Sequence, residues 1–168
     1  MNYAVRPMVS DDLSQVAQIE KESFPQPLSA QYFQRELVVN SIARYIVASE
    51  DDTILGYAGV WLIVGEIHII TIAVRPDRRR LGVGELLLIA VFDLALEHKA
   101  RLITLEVRNS NTPARAMYQK YGFADVGIRR GYYMETGEDA VLMSAENIDS
   151  DAFQSHFQRL KQDYQAPH

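Results

Sequence analysis

A layered α/β domain built on a mixed sheet is the fold class this sequence predicts, and three observations predict it. Apolar, β-branched runs at residues 54–64, 66–74 and 102–107 alternate with apolar stretches at helical spacing, the longest from residue 84 to residue 99. The run at 67–74 is joined to that long helix by a turn holding Gly82 and Gly84, with Arg79 and Arg80 beside it. The 168 residues suffice for one domain, which would bury about 70% of the surface an unfolded chain exposes.

The elements follow in order after a short first strand. Ser10 reads as an N-cap with Asp11 and Asp12 in the first turn, and Leu13, Val16, Ala17 and Ile19 continue at near-helical spacing to about Glu22. Phe24-Pro25-Gln26-Pro27 ends that helix. Ser29 caps a second one, with Tyr32, Phe33 and Leu37 on one side, and residues 45–48 form a strand before the acidic turn Glu50-Asp51-Asp52. Residues 54–64 and 66–74 make an antiparallel pair about Gly65. Between residues 84 and 99 almost every position is apolar, so this helix is covered on most of its circumference.

Residues 102–107 form a short strand, with Ile103, Leu105 and Val107 on one face and Leu102, Thr104 and Glu106 on the other. Thr112-Pro113 opens a helix that closes at Gly122, proline standing in the first turn and glycine just past the end. Residues 123–128 and 140–143 read as closing strands, with Gly131-Tyr132-Tyr133 in the connecting loop. The order is β-α-α-β-β-β-α-β-α-β-β. A cap near Asp149 or Ser150 then starts an amphipathic C-terminal helix carrying Phe153, Phe157, Leu160 and Tyr164, more naturally packed on its own domain than on a partner.

Composition narrows the chemistry. With no cysteine there are no disulfides and no thiolate metal sites, and the four histidines lack ligand spacing, so no metal is expected. His68 reads as an ordinary strand residue. A net charge of -5 argues against general nucleic-acid binding, although Arg75 to Arg80 form one basic cluster. No apolar stretch approaches the roughly 20 residues of a membrane span, and no basic leader precedes an apolar core, so a cytoplasmic protein is expected. The glycine turn is the strongest chemical signal. A strand end, a glycine-rich turn and a helix N-terminus with unpaired N–H groups together favour a phosphate anion.

These residues resemble the GNAT acetyltransferase superfamily. Arg79-Arg80-Leu81-Gly82-Val83-Gly84 fits its acyl-CoA signature of Gln or Arg, two variable residues, Gly, one variable residue, then Gly or Ala. Leu105-Glu106-Val107-Arg108-Asn109-Ser110-Asn111, Ala114, Met117-Tyr118 and Tyr121-Gly122-Phe123 look like the family's second half, and the resemblance spans nearly all of residues 1–145. Glu22-Ser23-Phe24-Pro25, Arg129-Arg130-Gly131-Tyr132-Tyr133 and Gly137-Glu138-Asp139-Ala140 are similar to the protein N-terminal acetyltransferase branch, above all its bacterial ribosomal-protein-alanine type. Leu28, where an aromatic is usual, and Met134, where proline is common, depart from that pattern in positions bearing on the substrate.

The resemblance implies the GNAT fold, three layers about a mixed sheet with a splayed strand pair. It implies a catalytic domain over residues 1–146 and a helical extension over 147–168. Acetyl-CoA is the implied cosubstrate, its pantetheine arm on the backbone of Ile72, Ala73 and Val74 and its pyrophosphate on Arg79, Arg80, Leu81, Gly82, Val83, Gly84 and Glu85. Asn111 would contact CoA, cap its helix, or do both. Glu106 is the implied proton acceptor and Tyr118 the implied proton donor to the leaving sulfur. The residues alone leave other readings open, a strand-end Glu106 reaching solvent or pairing with Arg108, and a Tyr118 that is simply core. Phe24, Pro25, Tyr132 and Tyr133 would flank a groove for an extended peptide. The implied acceptor is the N-terminal α-amine of a protein, a ribosomal protein among the candidates, with no direct nucleic-acid or membrane partner, acting as a monomer or weak dimer. A lysine or small-amine acetyltransferase, a noncatalytic acetyl-CoA-binding module and a basic-patch ribosome or nucleic-acid binder are the rivals.

Overall fold

The computed structural model describes residues 2–166 and divides them into two compact units, one holding the residues up to Ile63 with Ile69–Phe92, the other Val64–His68 with the residues from Asp93 on. In chain order the elements are β1 (Ala4–Pro7), α1 (Leu13–Ser23), α2 (Ala30–Val38), β2 (Ala43–Glu50), β3 (Thr53–Ile63), β4 (Glu66–Val74), α3 (Val83–Glu97), β5 (Leu102–Arg108), α4 (Thr112–Lys120), β6 (Ala124–Tyr133), β7 (Glu138–Glu146) and α5 (Asp151–Gln165). That is the order the sequence predicts. The hydrogen-bonded strand order is β1-β2-β3-β4-β5-β7-β6, and the sheet is mixed, because β4 and β5 run parallel while β5, β7 and β6 pair antiparallel. The β4–β5 ladder is short, from Glu66↔Leu102 to His68↔Thr104, although β4 continues to Val74 and β5 to Arg108.

In the first unit α1 and α2 close over β2 and β3. Val16, Ile19, Phe33, Val47 and Tyr57 are all but fully buried there, and the Phe33 ring meets Tyr45 and Tyr57 edge-on at 5.9 and 5.6 Å. Such aromatic pairs contribute about 1 kcal/mol each beyond the area they bury. Two carboxylates are sealed into this packing. Glu36 accepts from Tyr45 Oη (2.8 Å), Trp61 Nε1 (2.9 Å), Asn40 Nδ2 (2.7 Å) and Tyr32 Oη (3.4 Å). Burial pushes its pKa up, but these donors outweigh burial and hold the carboxyl below its ordinary value. Glu20 has fewer donors, so burial wins and its pKa is raised.

In the second unit the buried face of β5 is Ile103, Leu105 and Val107, as the alternation predicts. Asn111 Oδ1 accepts from Ala114 N at 3.3 Å, so it does cap α4. Ser150 Oγ accepts from Phe153 N at 3.2 Å and starts α5, whose Phe157 is 1% exposed. Lys161 of α5 pairs with Asp93 at 3.0 Å, and the Phe153 ring lies where a side chain on Gly122 would stand. The tail helix thus packs on its own unit.

Two local expectations change. Ser10 does not cap α1, which starts at Leu13 behind a 3-10 turn over Ser10–Asp12. The Asp12 carboxylate instead accepts from Val9 N at 2.8 Å and pairs with Arg6, both its oxygens at 2.8 Å from the guanidinium, an arrangement a hydroxyl cannot match in strength. Gly131-Tyr132-Tyr133 is not a loop but the end of β6. The β6–β7 register shifts between Arg129 and Tyr133, and Gly131 takes φ +62° with its N–H on Asp139 Oδ1 at 2.8 Å. A left-handed glycine at a bulge lets the strand continue where another residue would strain.

Candidate active site

In the first unit β4 runs into a tightly braced turn. Arg75 N–H donates to Leu55 O at 2.8 Å, and a 3-10 turn over Pro76–Arg78 follows. Arg75 pairs with Asp77 and Arg78 with Glu50, each at 3.0 Å, so half of the basic cluster is neutralised within the chain. Arg79 Nε donates back to Val74 O (3.2 Å) and its Nη2 to Ser23 Oγ (3.3 Å), which ties the turn to the end of α1.

Arg80 and Gly82 then take φ +62° and +83° before α3 starts at Val83. A left-handed arginine costs on the order of 1 kcal/mol and is held there by its surroundings. Among the described residues the Arg80 side chain has no hydrogen-bond partner. Helix-start N–H groups and an uncommitted guanidinium fit a pyrophosphate. Of the residues assigned to the donor, Ile72, Ala73 and Val74 close β4, Arg79, Arg80, Leu81 and Gly82 make the turn, and Val83, Gly84 and Glu85 start the helix. Phe24 packs on the core cluster of this unit, while Pro25 is exposed.

In the second unit Glu106 has a partner that sequence reasoning passed over. His68 Nε2 stands 2.8 Å from Glu106 Oε2, its Nδ1 is 2.7 Å from Thr104 Oγ1, and Thr104 Oγ1 donates to Glu66 Oε1 at 3.0 Å. His68 thus joins Glu106 to the Thr104 hydroxyl and, through it, to Glu66 in one row of polar contacts across the two strands. The hydrogen bond from His68 holds the Glu106 carboxyl below its ordinary range against the opposing effect of burial, and the charges of His68 and Arg129 add to it. Arg108 is not the partner of Glu106. It pairs with Glu135 and, at 3.5 Å, with Glu138, and lies 3.9 Å above the Tyr133 ring. The clue in the sequence was two polar residues on one face of each adjacent strand, Glu66 and His68 on β4, Thr104 and Glu106 on β5.

His68→Leu should therefore move the acid limb of the kcat/KM pH profile upward. Without the His68 donor the burial of Glu106 remains, so its pKa rises and proton acceptance fades at a higher pH. The sign for stability is the same. A depressed carboxyl stabilises the fold above its unfolded pKa, and that contribution is lost as pH falls through the folded value; in the variant this acid-side loss shrinks. A pH profile of the variant that overlays the parent's would refute the pairing.

Tyr118 lies on the inner face of α4, 7% exposed and tilted against Phe123 at 5.4 Å. Burial raises its pKa above the usual phenol value, so it stays protonated at neutral pH. Tyr133, half-buried, is pushed up to about 12, chiefly by burial, and it is close enough to feel the charge of Glu106 and to act on Tyr118. Tyr132 meets Tyr133 edge-on at 5.0 Å and is the more exposed of the two. One unit thus collects an ionised carboxylate, a protonated phenol and an aromatic pair. No cluster of three or more possible metal ligands occurs among the described residues, and no described helix is long and apolar enough to cross a membrane.

Comparison with known proteins agrees with this chemistry. The acetyltransferase (GNAT) family matches residues 11–123. A Bacillus subtilis (strain 168) protein, provisionally named a ribosomal protein bS18-alanine N-acetyltransferase, is 40% identical over 140 residues, which are 83% of this chain and 93% of that one. An N-alpha-acetyltransferase of Sulfurisphaera tokodaii is 33% identical over 156 residues, 85% of this chain and 92% of the relative. The crystal structure of the ribosomal-protein-S18-alanine N-acetyltransferase from Escherichia coli superposes with a TM-score of 0.79 at 27% identity, covering 87% of this chain and 94% of that chain. The chain belongs to the acetyltransferase (GNAT) family and is an acetyltransferase with acetyl-CoA as its cosubstrate.

Proposed function

We propose that the enzyme acetylates the N-terminal α-amine of a protein, with a ribosomal-protein alanine as the leading acceptor class. The observation that carries this reading is the pairing of Glu106 Oε2 with His68 Nε2 at 2.8 Å, which holds the carboxyl below its ordinary range. A weakly basic carboxylate suits an amine that is already partly neutral at pH 7. An α-amine, with a pKa of about 7.7–8.0, meets that condition; lysine, at about 10.4, does not. The names of the relatives in Bacillus subtilis and Sulfurisphaera tokodaii support the same acceptor.

In this reading Glu106 takes the proton of the amine, and the freed nitrogen lone pair attacks the thioester carbonyl. Backbone N–H groups at Ala73 and Val74 polarise that carbonyl. As the new C–N bond forms and the C–S bond breaks, Tyr118 gives its proton to the departing sulfur and regains one from solvent. The acetyl group passes directly between substrates in this reading, and with no cysteine in the chain an acetyl-cysteine route is closed. Phe24, Pro25, Tyr132 and Tyr133 hold the acceptor backbone, and Asn111 adds a contact to CoA.

Steady-state transfer to short peptides starting with free Ala, Ser or Met tests the proposal, against the same peptides blocked at the α-amine and bearing lysine. Acetylation confined to the free α-amines is expected. Modification of only the blocked lysine peptides would move the enzyme to the rival lysine class.

A further inference from the structure

We infer that Glu20 is a positioning residue that fastens the loop between α1 and α2 and so sets acceptor binding; the inference rests on the reading of Phe24 and Pro25 as acceptor-binding. Glu20 is 2% exposed, in the last turns of α1. Its Oε2 accepts from Leu28 N at 3.2 Å, and its Oε1 accepts from the Tyr57 hydroxyl of β3. The backbone C=O of the same residue accepts from Phe24 N at 3.0 Å. One residue therefore holds both ends of the segment Phe24–Leu28.

The loop's composition makes that hold consequential. Pro25 and Pro27 have no N–H, so Leu28 is one of the few places where this segment can be anchored through its backbone. Side chains help at the same two points, since Phe24 and Leu28 pack on the buried cluster of the unit. A buried carboxylate is a costly way to fill space, and an apolar residue would fill it more stably. What it alone supplies is two acceptor oxygens for two donors from separate segments.

The hydrogen-bonded network ends at Tyr57, short of the donor strand. Thr71 Oγ1 is buried, without a hydrogen-bond partner of regular geometry, and the Thr71 hydroxyl is near enough to Tyr57 to lower that phenol's pKa against a larger rise from burial. Thr71 directly precedes Ile72, Ala73 and Val74.

Two variants and two readouts test this. Glu20→Leu fills the volume but removes both acceptor oxygens, and Glu20→Gln keeps one. Losing the acceptor of Leu28 N–H in Glu20→Leu should raise the acceptor KM about tenfold, and weakening it from a carboxylate to an amide oxygen in Glu20→Gln about threefold, with acetyl-CoA KM and kcat within about twofold of the parent. Hydrogen exchange at the Leu28 amide should quicken in the same order. If Glu20→Leu does not fold, Glu20→Gln carries both readouts. Unchanged Leu28 exchange, a parallel rise of both KM values, or faster exchange with an unmoved acceptor KM would each overturn the inference. Should the parent enzyme acetylate only side-chain amines, the acceptor reading fails by itself, while Leu28 exchange still reports on the Glu20 clamp.

Discussion

Glu106→Gln should lower kcat about a hundredfold while leaving the affinity for acetyl-CoA within about twofold, as expected for loss of a general base. The substitution suits the question because the amide oxygen can still accept from His68 Nε2, which stands 2.8 Å away in the parent. Packing is kept, since glutamine has nearly the same shape. What disappears is a group that can receive a proton. The acid limb of the pH profile should vanish with it, because that limb reports the titration of the carboxyl. Steady-state rates across pH, together with acetyl-CoA binding to the variant, check both statements. A variant with full turnover would remove Glu106 from the chemistry and leave the Glu66-Thr104-His68-Glu106 row as a structural ladder.

How much of this was legible in the sequence follows from how far apart the interacting residues are. The donor turn was legible because it is local. Two glycines, flanking arginines and a helix start lie within a few positions, and Arg80 and Gly82 do take the left-handed backbone such a turn requires. The outward face of β5 was legible too, because alternation along one strand puts Glu106 opposite the buried Leu105 and Val107. His68 was not, for its partner is set by the parallel register His68↔Thr104, and register between distant strands is not written in either strand alone. Nor were the buried carboxylates. Glu20 takes the Tyr57 hydroxyl from 37 residues away and Glu36 the Trp61 ring nitrogen from 25 away, so an acidic residue on a helix that looks solvent-facing is buried by elements the helix does not contain. At Gly131 the sequence offered a turn signal, and the bulge turned it into strand; a glycine serves either, and the pairing of β6 with β7 decides.

Tyr118→Phe separates catalysis from structure more sharply than any other change in the second unit. The ring is buried against Phe123, yet among the described residues its hydroxyl makes no hydrogen bond. Removing a polar atom that has no partner in the protein should leave stability within about 1 kcal/mol of the parent, with no loss of core packing, because phenylalanine keeps the whole ring. Were Tyr118 only a core residue, the variant would be indistinguishable from the parent in every assay. As the proton donor to the departing sulfur it should instead cost about tenfold to a hundredfold in kcat, with both KM values little changed. The raised pKa of the phenol agrees with a donor, since burial keeps the proton in place until negative charge develops on the sulfur. Thermal unfolding and steady-state kinetics on the same preparation decide between the two. Unchanged melting with lost turnover establishes the catalytic role, and unchanged melting with unchanged turnover ends it.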